Sequence, residues 1–231
     1  MSALAEITSL GEELLDDPAA DPALVRESLK NVAVANRLFG GVAAARYGVD
    51  RLATRHRFVE ATVLDVGTGM GDVPRALGRF FRPRGIALRP IGLERNPTAA
   101  GLAAAHGLPT VIGDGFRLPF ASRSIDLVLL CQIAHHLTPA GIIALATEAT
   151  RVARVGVVLA DLARSRVAQI GFAVASRVLR FDRATIADGV TSVKRGFRAP
   201  ELAALLTQAG LQAECVHRPG WRVVATWSVT S

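Results

Sequence analysis

Short apolar runs alternate with amphipathic segments along most of the chain. The runs predict strands at 62–66, 87–93, 109–112, 125–131 and 155–160, and the segments predict helices at 72–80, 97–106 and 139–152. Such alternation is typical of a doubly wound α/β fold with a mostly parallel sheet, because parallel neighbours need a crossover connection. Two later apolar runs, Leu211–His217 and Trp221–Ser228, flank a turn and predict a terminal hairpin, which brings the sheet to seven strands.

The N-terminal part of the chain is predicted to be helical. Asp21-Pro22 has the residues of a helix start, with Asp as the N-cap and Pro at the first helical position. One face of this helix carries apolar residues at helical spacing, with Asn36 as its one polar member, and a second helix runs to about Arg55. Both precede the first strand, so we expect residues 1–58 to form a helical lid or appendage on a domain of residues 59–231.

The segment after the fifth strand has a weaker pattern. Residues 163–180 are predicted to be helical and residues 182–198 irregular, with Asp188-Gly189 as a turn. A helix is predicted from Pro200 to Gln208, before the terminal hairpin. The chain is therefore expected to fold as one globular unit with a second helical region beside the C-terminal strands.

The amino-acid composition and the charge indicate which classes of partner the protein is expected to have. The formal net charge is +7, and of the 27 basic residues only Lys30 and Lys194 are lysines. The arginines are scattered and aromatic residues make up only 5% of the chain, so the sequence does not favour nucleic-acid binding. Acidic residues precede the first basic residue, Arg26, which disfavours a secretory signal, and no apolar run is long enough to span a bilayer. The two cysteines lie in apolar segments and no cluster has metal-site spacing, so a cytoplasmic, metal-free protein is expected.

The residues after the first strand form the most informative motif. Residues 63–72 read Val-Leu-Asp-Val-Gly-Thr-Gly-Met-Gly-Asp, so Asp65 ends the strand and three glycines follow at 67, 69 and 71. A strand, a glycine turn and a helix together bind nucleotide-like molecules in α/β proteins. A dinucleotide is disfavoured, because the third small residue of its G-x-G-x-x-G fingerprint falls on Asp72, which is charged.

Acidic residues also end the next two strands. Glu94 follows the second strand, and Asp114 with Phe116 follows the third. A carboxylate only accepts hydrogen bonds and can take two donors at once, and an aromatic side chain such as Phe116 can cover a flat ring. The carboxyl ends of parallel strands are where open α/β sheets bind ligands, so these residues are expected to lie together.

Taken together, this G-x-G-x-G loop with its acids resembles the class I S-adenosylmethionine (AdoMet) methyltransferases. The resemblance implies AdoMet as cofactor, S-adenosylhomocysteine as product, and a last strand inserted antiparallel in the sheet. The cofactor site that it implies consists of Asp65, Gly67, Thr68, Gly69, Gly71, Asp72, Glu94, Arg95, Asp114, Gly115, Phe116 and Cys131.

The flanking motifs resemble a narrower group. His135-His136-Leu137 after the fourth strand is similar to the type 11, or quinone-biosynthesis-like, methyltransferases. The segments 36–41, 161–165 and 188–197 resemble methyltransferases found beside type III polyketide synthases. The resemblance implies a small, largely apolar acceptor, namely a phenol, quinol or polyketide that is methylated on oxygen or carbon.

Three residues are candidates for the chemistry. A phenol has a pKa of about 10, so a base would help it attack, and His135 or His136 lies in the expected place, with His136 slightly preferred. Either histidine could instead pack or cap the following helix. Asp161 could orient a histidine or substrate, or cap the next helix. An RNA methyltransferase and a non-catalytic AdoMet-binding protein are the alternatives, and either a monomer or a homodimer is possible.

Overall fold

A computed structural model describes Leu15 and residues 20–229 of the chain. The predicted N-terminal lid therefore lies in part outside the described residues. The same is true of the acidic residues up to and including Asp16 and Asp17. The helices are α1 (Pro22–Leu38), α2 (Gly41–His56), α3 (Asp72–Phe81), α4 (Pro97–Ala105), α5 (Pro139–Val152), α6 (Arg166–Val178), α7 (Arg183–Arg195) and α8 (Ala199–Gln208). The strands are β1 (Glu60–Val66), β2 (Ala87–Glu94), β3 (Thr110–Ile112), β4 (Ile125–Cys131), β5 (Ala153–Leu162), β6 (Glu214–Arg218) and β7 (Arg222–Ser228).

The seven strands form one sheet in the order β3-β2-β1-β4-β5-β7-β6. Strands β1 to β5 pair in parallel, while β7 is antiparallel to both β5 and β6. The predicted doubly wound sheet with an antiparallel last strand is thereby confirmed. The chain reverses its direction of winding between β1 and β4, and this switch point opens a crevice at the carboxyl ends of both strands.

Helices cover both faces of the sheet, and the side chains of β4 show how. Leu127 and Leu129 join a cluster with α2 and α3, whereas Val128 and Leu130 join a cluster on the opposite face with α5 and α8. All four are fully buried, as expected for a central parallel strand covered on both sides. This double burial holds the end of β4 in a fixed position beside the glycine loop.

The first helix begins where the sequence predicts. The Asp21 carboxylate accepts hydrogen bonds from the backbone N–H groups of Ala23 and Leu24, and Pro22 occupies the first turn. The predicted inner face is buried at Val25, Leu29 and Asn36. This face lies over the crevice, whereas α2 packs into the core of the sheet.

The prediction of an irregular segment at 182–198 is wrong, because α7 spans most of it. Asp182 caps this helix by accepting from the N–H of Thr185. Asp188-Gly189 is typical of a turn, but Gly189 lies inside α7, where a Cβ atom would come within 2.1 Å of the Phe172 ring on α6. The glycine allows close contact between two helices, so tertiary packing overrides the local preference.

Gly189→Ala is therefore expected to destabilise the protein. Overpacking against Phe172 costs about 1–3 kcal/mol, which outweighs the gain of up to about 1 kcal/mol in helix propensity. Gly171→Ala on α6 is the matched control, since nothing lies within 4 Å of a Cβ atom there, and it should raise stability. Chemical denaturation of both variants measures the difference. Equal free energies of unfolding would contradict the close approach.

Candidate active site

The crevice at the switch point contains a cavity of about 330 Å³. All the predicted cofactor residues except Gly71 line it. Both predicted histidines, His135 and His136, line it as well. Helices α1, α6 and α7 close the other side through residues such as Leu29, Phe172 and Val193. Residues distant in sequence thus meet at one site, in the position expected for an open α/β sheet.

The glycine loop is held tightly to the end of β2. Gly67, Gly69 and Gly71 all have positive φ, at 71°, 56° and 73°. The N–H groups of Gly67 and Thr68 donate to the carbonyl of Leu93, at 2.8 and 3.1 Å. Gly71 does not line the cavity; it precedes α3, and a Cβ atom there would lie 2.7 Å from the Leu108 side chain. Its place in the motif is explained by the turn and by packing rather than by ligand contact.

Asp65 presents an unpaired carboxylate oxygen to the cavity wall. Thr68 Oγ1 donates to Asp65 Oδ2 at 2.7 Å, but Oδ1 is buried and has no hydrogen-bond partner. Burial, together with the nearby carboxylates of Asp72 and Glu94, raises the pKa of Asp65 to about 7, although the hydrogen bond from Thr68 lowers it. A buried, unpartnered carboxylate of this kind fits a cationic ligand group, such as the ammonium of an amino acid.

Glu94 ties the loop to the strand end and keeps free lone pairs. Its Oε2 accepts from Gly69 N–H at 2.9 Å and its Oε1 accepts from Asn96 N–H at 3.0 Å. Each carboxylate oxygen can accept a second hydrogen bond, so two ribose hydroxyls could be bound here. Asp114 accepts from Phe116 N–H through Oδ1, which leaves Oδ2 for a ligand donor, and the Phe116 ring is half exposed beside it.

A second group of polar residues lies deeper, around Asp161. This carboxylate is fully buried and accepts from the N–H groups of Ala134, His135 and Leu162. Its Oδ1 also lies 2.6 Å from His135 Nδ1. Burial alone would raise the pKa of Asp161, but the charge and hydrogen bond of His135 and the backbone N–H donors lower it overall. The alternative role as a helix cap is wrong, because Ser165 caps α6.

The pair fixes the chemistry of His135. A carboxylate only accepts, so Nδ1 must carry the proton and Nε2 is the basic nitrogen when the ring is neutral. Nε2 has no hydrogen-bond partner among the described residues, and His135 lines the cavity. His136 also lines the cavity, with its ring centroid 4.1 Å from that of His135. Neither histidine caps α5, because Thr138 is the N-cap of that helix.

Two residues with no predicted role in the chemistry complete the site. Gln132, which adopts a positive φ of 54°, donates to Asn36 Oδ1, and Asn36 Nδ2 donates to Asp72 Oδ2 at 3.0 Å. Arg222, the first residue of β7, donates to Gln132 Oε1 at 3.0 Å. Arg222 gave one sequence signal, since it is the only charged residue of β7. Arg37, the neighbour of Asn36 on α1, is exposed and does not line the cavity.

The comparisons agree with this geometry. Residues 63–156 match the family described as Methyltransferase domain. A SAM-dependent methyltransferase from Aquifex aeolicus is 16% identical with a TM-score of 0.59, covering 91% of this chain and 99% of its own. A putative S-adenosylmethionine-dependent methyltransferase from Methanococcus maripaludis is 14% identical with a TM-score of 0.58, covering 88% and 92%. Magnesium protoporphyrin IX methyltransferase from Synechocystis, with SAM bound, is 11% identical with a TM-score of 0.55, covering 83% and 80%.

No curated protein sequence matches the chain significantly. Within the described part of the chain, no helix is both long and apolar enough to cross a bilayer. At these identities the solved structures establish the fold, and the matched domain establishes the enzyme class. The protein is therefore an AdoMet-dependent methyltransferase with the Rossmann-like class I fold.

Proposed function

We propose that the protein transfers the methyl group of AdoMet to an oxygen of a small, largely apolar phenol or quinol, with His135 as the base. The observation that carries the proposal is the His135–Asp161 pair beside a cavity that the cofactor residues also line. Methylation on carbon of the same kind of acceptor is the variant of this proposal.

The cofactor fits the residues of the cavity. Asp65 Oδ1 would pair with the ammonium of the methionine end, Glu94 would accept from the ribose hydroxyls, and Asp114 would accept from the adenine amino group. Thr68, Arg95, Gly115 and Cys131 line the same space. When bound, the cofactor supplies a methyl group on a sulfonium, which is already a strong electrophile, so positioning accounts for much of the catalysis.

The acceptor end of the cavity is mostly apolar. Phe172 on α6 and Val193 on α7 line the cavity with apolar side chains. Such a wall suits an aromatic or aliphatic acceptor with few polar groups. His135 Nε2 would take the phenol proton as the oxygen attacks, while Asp161 holds the ring and stabilises the imidazolium that results. The histidine thus provides the base that an acceptor with a pKa of about 10 requires near neutral pH.

The finer family placement is also part of the proposal. The segments 36–41, 161–165 and 188–197 that resemble methyltransferases beside type III polyketide synthases belong to α1, β5 and α7 and their adjoining loops. Each of these segments contributes to the cavity lining, through Asn36, Leu162 and Val193 respectively. Asn36 also reaches the end of the glycine loop through its hydrogen bond to Asp72. A phenolic or quinol product of a polyketide route is therefore the acceptor class that we test first.

The RNA alternative receives less support. Among the described arginines, only Arg95 and Arg222 line the cavity, so a basic approach to the glycine loop is not formed by cavity residues. A purely AdoMet-binding protein would not need the buried His135–Asp161 pair. The test is a screen of purified protein with labelled AdoMet against phenols, quinols and unmodified RNA. Label transfer to RNA but to no phenol or quinol would overturn the proposal.

Two variants test the cofactor assignment. Glu94→Ala and Asp114→Ala should each weaken AdoMet binding by about 1–3 kcal/mol, because each leaves ligand donors without an acceptor. Glu60→Ala is a suitable control, since this acid lies at the other end of the sheet, where it pairs with Arg89. Isothermal calorimetry measures the three affinities. Wild-type affinity in both cavity variants would refute the assignment.

A further inference from the structure

Arg222 is a buried cation that the proposed reaction does not use. It is 3% exposed and begins β7, whose other residues are Val, Ala, Thr, Trp and Ser. Removing a guanidinium from water is costly unless it is paired, so a buried arginine at a cavity needs an explanation.

The hydrogen bonds of Arg222 leave its charge uncompensated by direct contact. Nε donates to the Phe39 carbonyl at 2.9 Å and Nη1 donates to Gln132 Oε1 at 3.0 Å, and both acceptors are neutral. Nη2 has no partner among the described residues, and no described carboxylate forms an ion pair with this side chain. Burial lowers the pKa of Arg222 to about 10, against the opposing charge of Asp161, so the group remains charged near neutral pH.

The guanidinium is held in place by two hydrogen bonds. Gln132 at the end of β4 accepts from Nη1 and donates to Asn36 on α1, which in turn donates to Asp72 at the start of α3. The Phe39 carbonyl at the end of α1 fixes Nε. The chain Arg222–Gln132–Asn36–Asp72 therefore positions the free nitrogen before any ligand arrives, which is the arrangement that a binding site requires.

We propose that Arg222 binds a carboxylate in the cavity through Nη2. The guanidinium fork matches a planar carboxylate, and the bond would be strong in a space shielded from water. This assignment rests on the function proposed above and deepens it. The carboxylate has two candidate sources, which are the methionine end of AdoMet and an acidic group on the acceptor.

The first source is the better match for the charges of the cavity. Asp65 offers a buried oxygen without a partner, the Arg222 guanidinium keeps one nitrogen without a partner among the described residues, and both residues line the same cavity. The amino-acid end of AdoMet is a zwitterion, with an ammonium and a carboxylate on one carbon. Cys131 lines the cavity with both groups.

The test compares AdoMet with decarboxylated AdoMet, which carries the same ammonium and sulfonium but no carboxylate. Calorimetry on the full chain should show that the wild type prefers AdoMet by about tenfold or more, which is about 1.4 kcal/mol. Arg222→Met should lose this preference and Arg222→Lys should retain part of it. Arg218→Met is the matched control from the same hairpin, because Arg218 stacks on Tyr47 outside the cavity and should leave the preference unchanged.

A second arm separates the two sources. With S-adenosylhomocysteine present, the binding of 4-hydroxybenzoate is compared with that of 4-hydroxybenzamide. If the wild type prefers 4-hydroxybenzoate and Arg222→Met abolishes that preference, the site binds the acceptor. If Arg222→Met instead abolishes the preference for AdoMet over decarboxylated AdoMet, the site binds AdoMet. Circular dichroism checks that each variant is folded. If Arg222→Met is unfolded, both comparisons are made with Arg222→Lys instead.

Two negative results have different meanings. A wild-type protein that binds neither AdoMet nor its decarboxylated form would refute the proposed function itself. A wild-type protein that binds AdoMet, but in which the Arg222 variants leave both preferences unchanged, would overturn the carboxylate site alone.

Discussion

Replacing His135 with alanine is expected to lower kcat by about 10²–10⁴-fold, the usual contribution of a general base. AdoMet affinity should change little, because the residues proposed to bind the cofactor belong to other strand ends. The loss should shrink at high pH, where the phenol ionises without help. Single-turnover rates with labelled AdoMet and the best acceptor of the screen, measured across pH, check this expectation.

His136→Ala and Asp161→Asn complete the test. His135 is the residue whose Nδ1 lies 2.6 Å from Asp161 Oδ1, and His136 stacks beside it, so the loss of His136 should affect the rate much less than that of His135. Asp161→Asn keeps the shape of the side chain but removes the acceptor that fixes the His135 proton on Nδ1, so kcat should fall and the pH profile should shift. If His136→Ala proved the slower enzyme and His135→Ala retained wild-type turnover, the base would be His136, as the sequence alone favours.

The affinity for AdoMet is expected to fall as the pH is lowered from about 8 to about 6. Burial raises the pKa of Asp65 to about 7, so the free protein holds a proton on this group below that pH. The ionised form pairs with the ammonium, so cofactor binding expels the proton. The affinity should therefore decrease by up to about tenfold for each pH unit below 7 and level off above it. Calorimetry in buffers of different ionisation enthalpy measures the released proton directly.

Asp65→Asn separates this effect from the titration of other groups. The variant should bind AdoMet about 1–3 kcal/mol more weakly at pH 8 and lose most of the pH dependence. The stability of the ligand-free protein should depend on pH in the opposite sense to the AdoMet affinity. A raised pKa stabilises the folded state at low pH, and this contribution is lost as the pH rises through 7, so the variant should be more stable than the wild type at pH 8. An Asn variant with an undiminished pH slope would show that another group controls binding.

Local sequence determined most of the architecture, because the relevant interactions are between near neighbours. Pro22, Pro97 and Pro139 each stand at the first position of a helix whose preceding residue supplies a side-chain cap. The apolar run at 125–131 corresponds to β4 residue for residue. The α7 helix was not predicted, because Asp188-Gly189 has a turn preference that only the contact with Phe172 overrides.

The sequence by itself determined the fold, the glycine loop and the acids at three strand ends, since an acid that follows a parallel strand must lie at the carboxyl edge of the sheet. The tertiary structure decided which histidine meets Asp161, because two adjacent residues point differently and no spacing rule distinguishes them. It also decided that Asn36, Gln132 and Arg222 form one network. These residues are up to 186 positions apart, from 36 to 222, and only the insertion of β7 beside β5 brings them together.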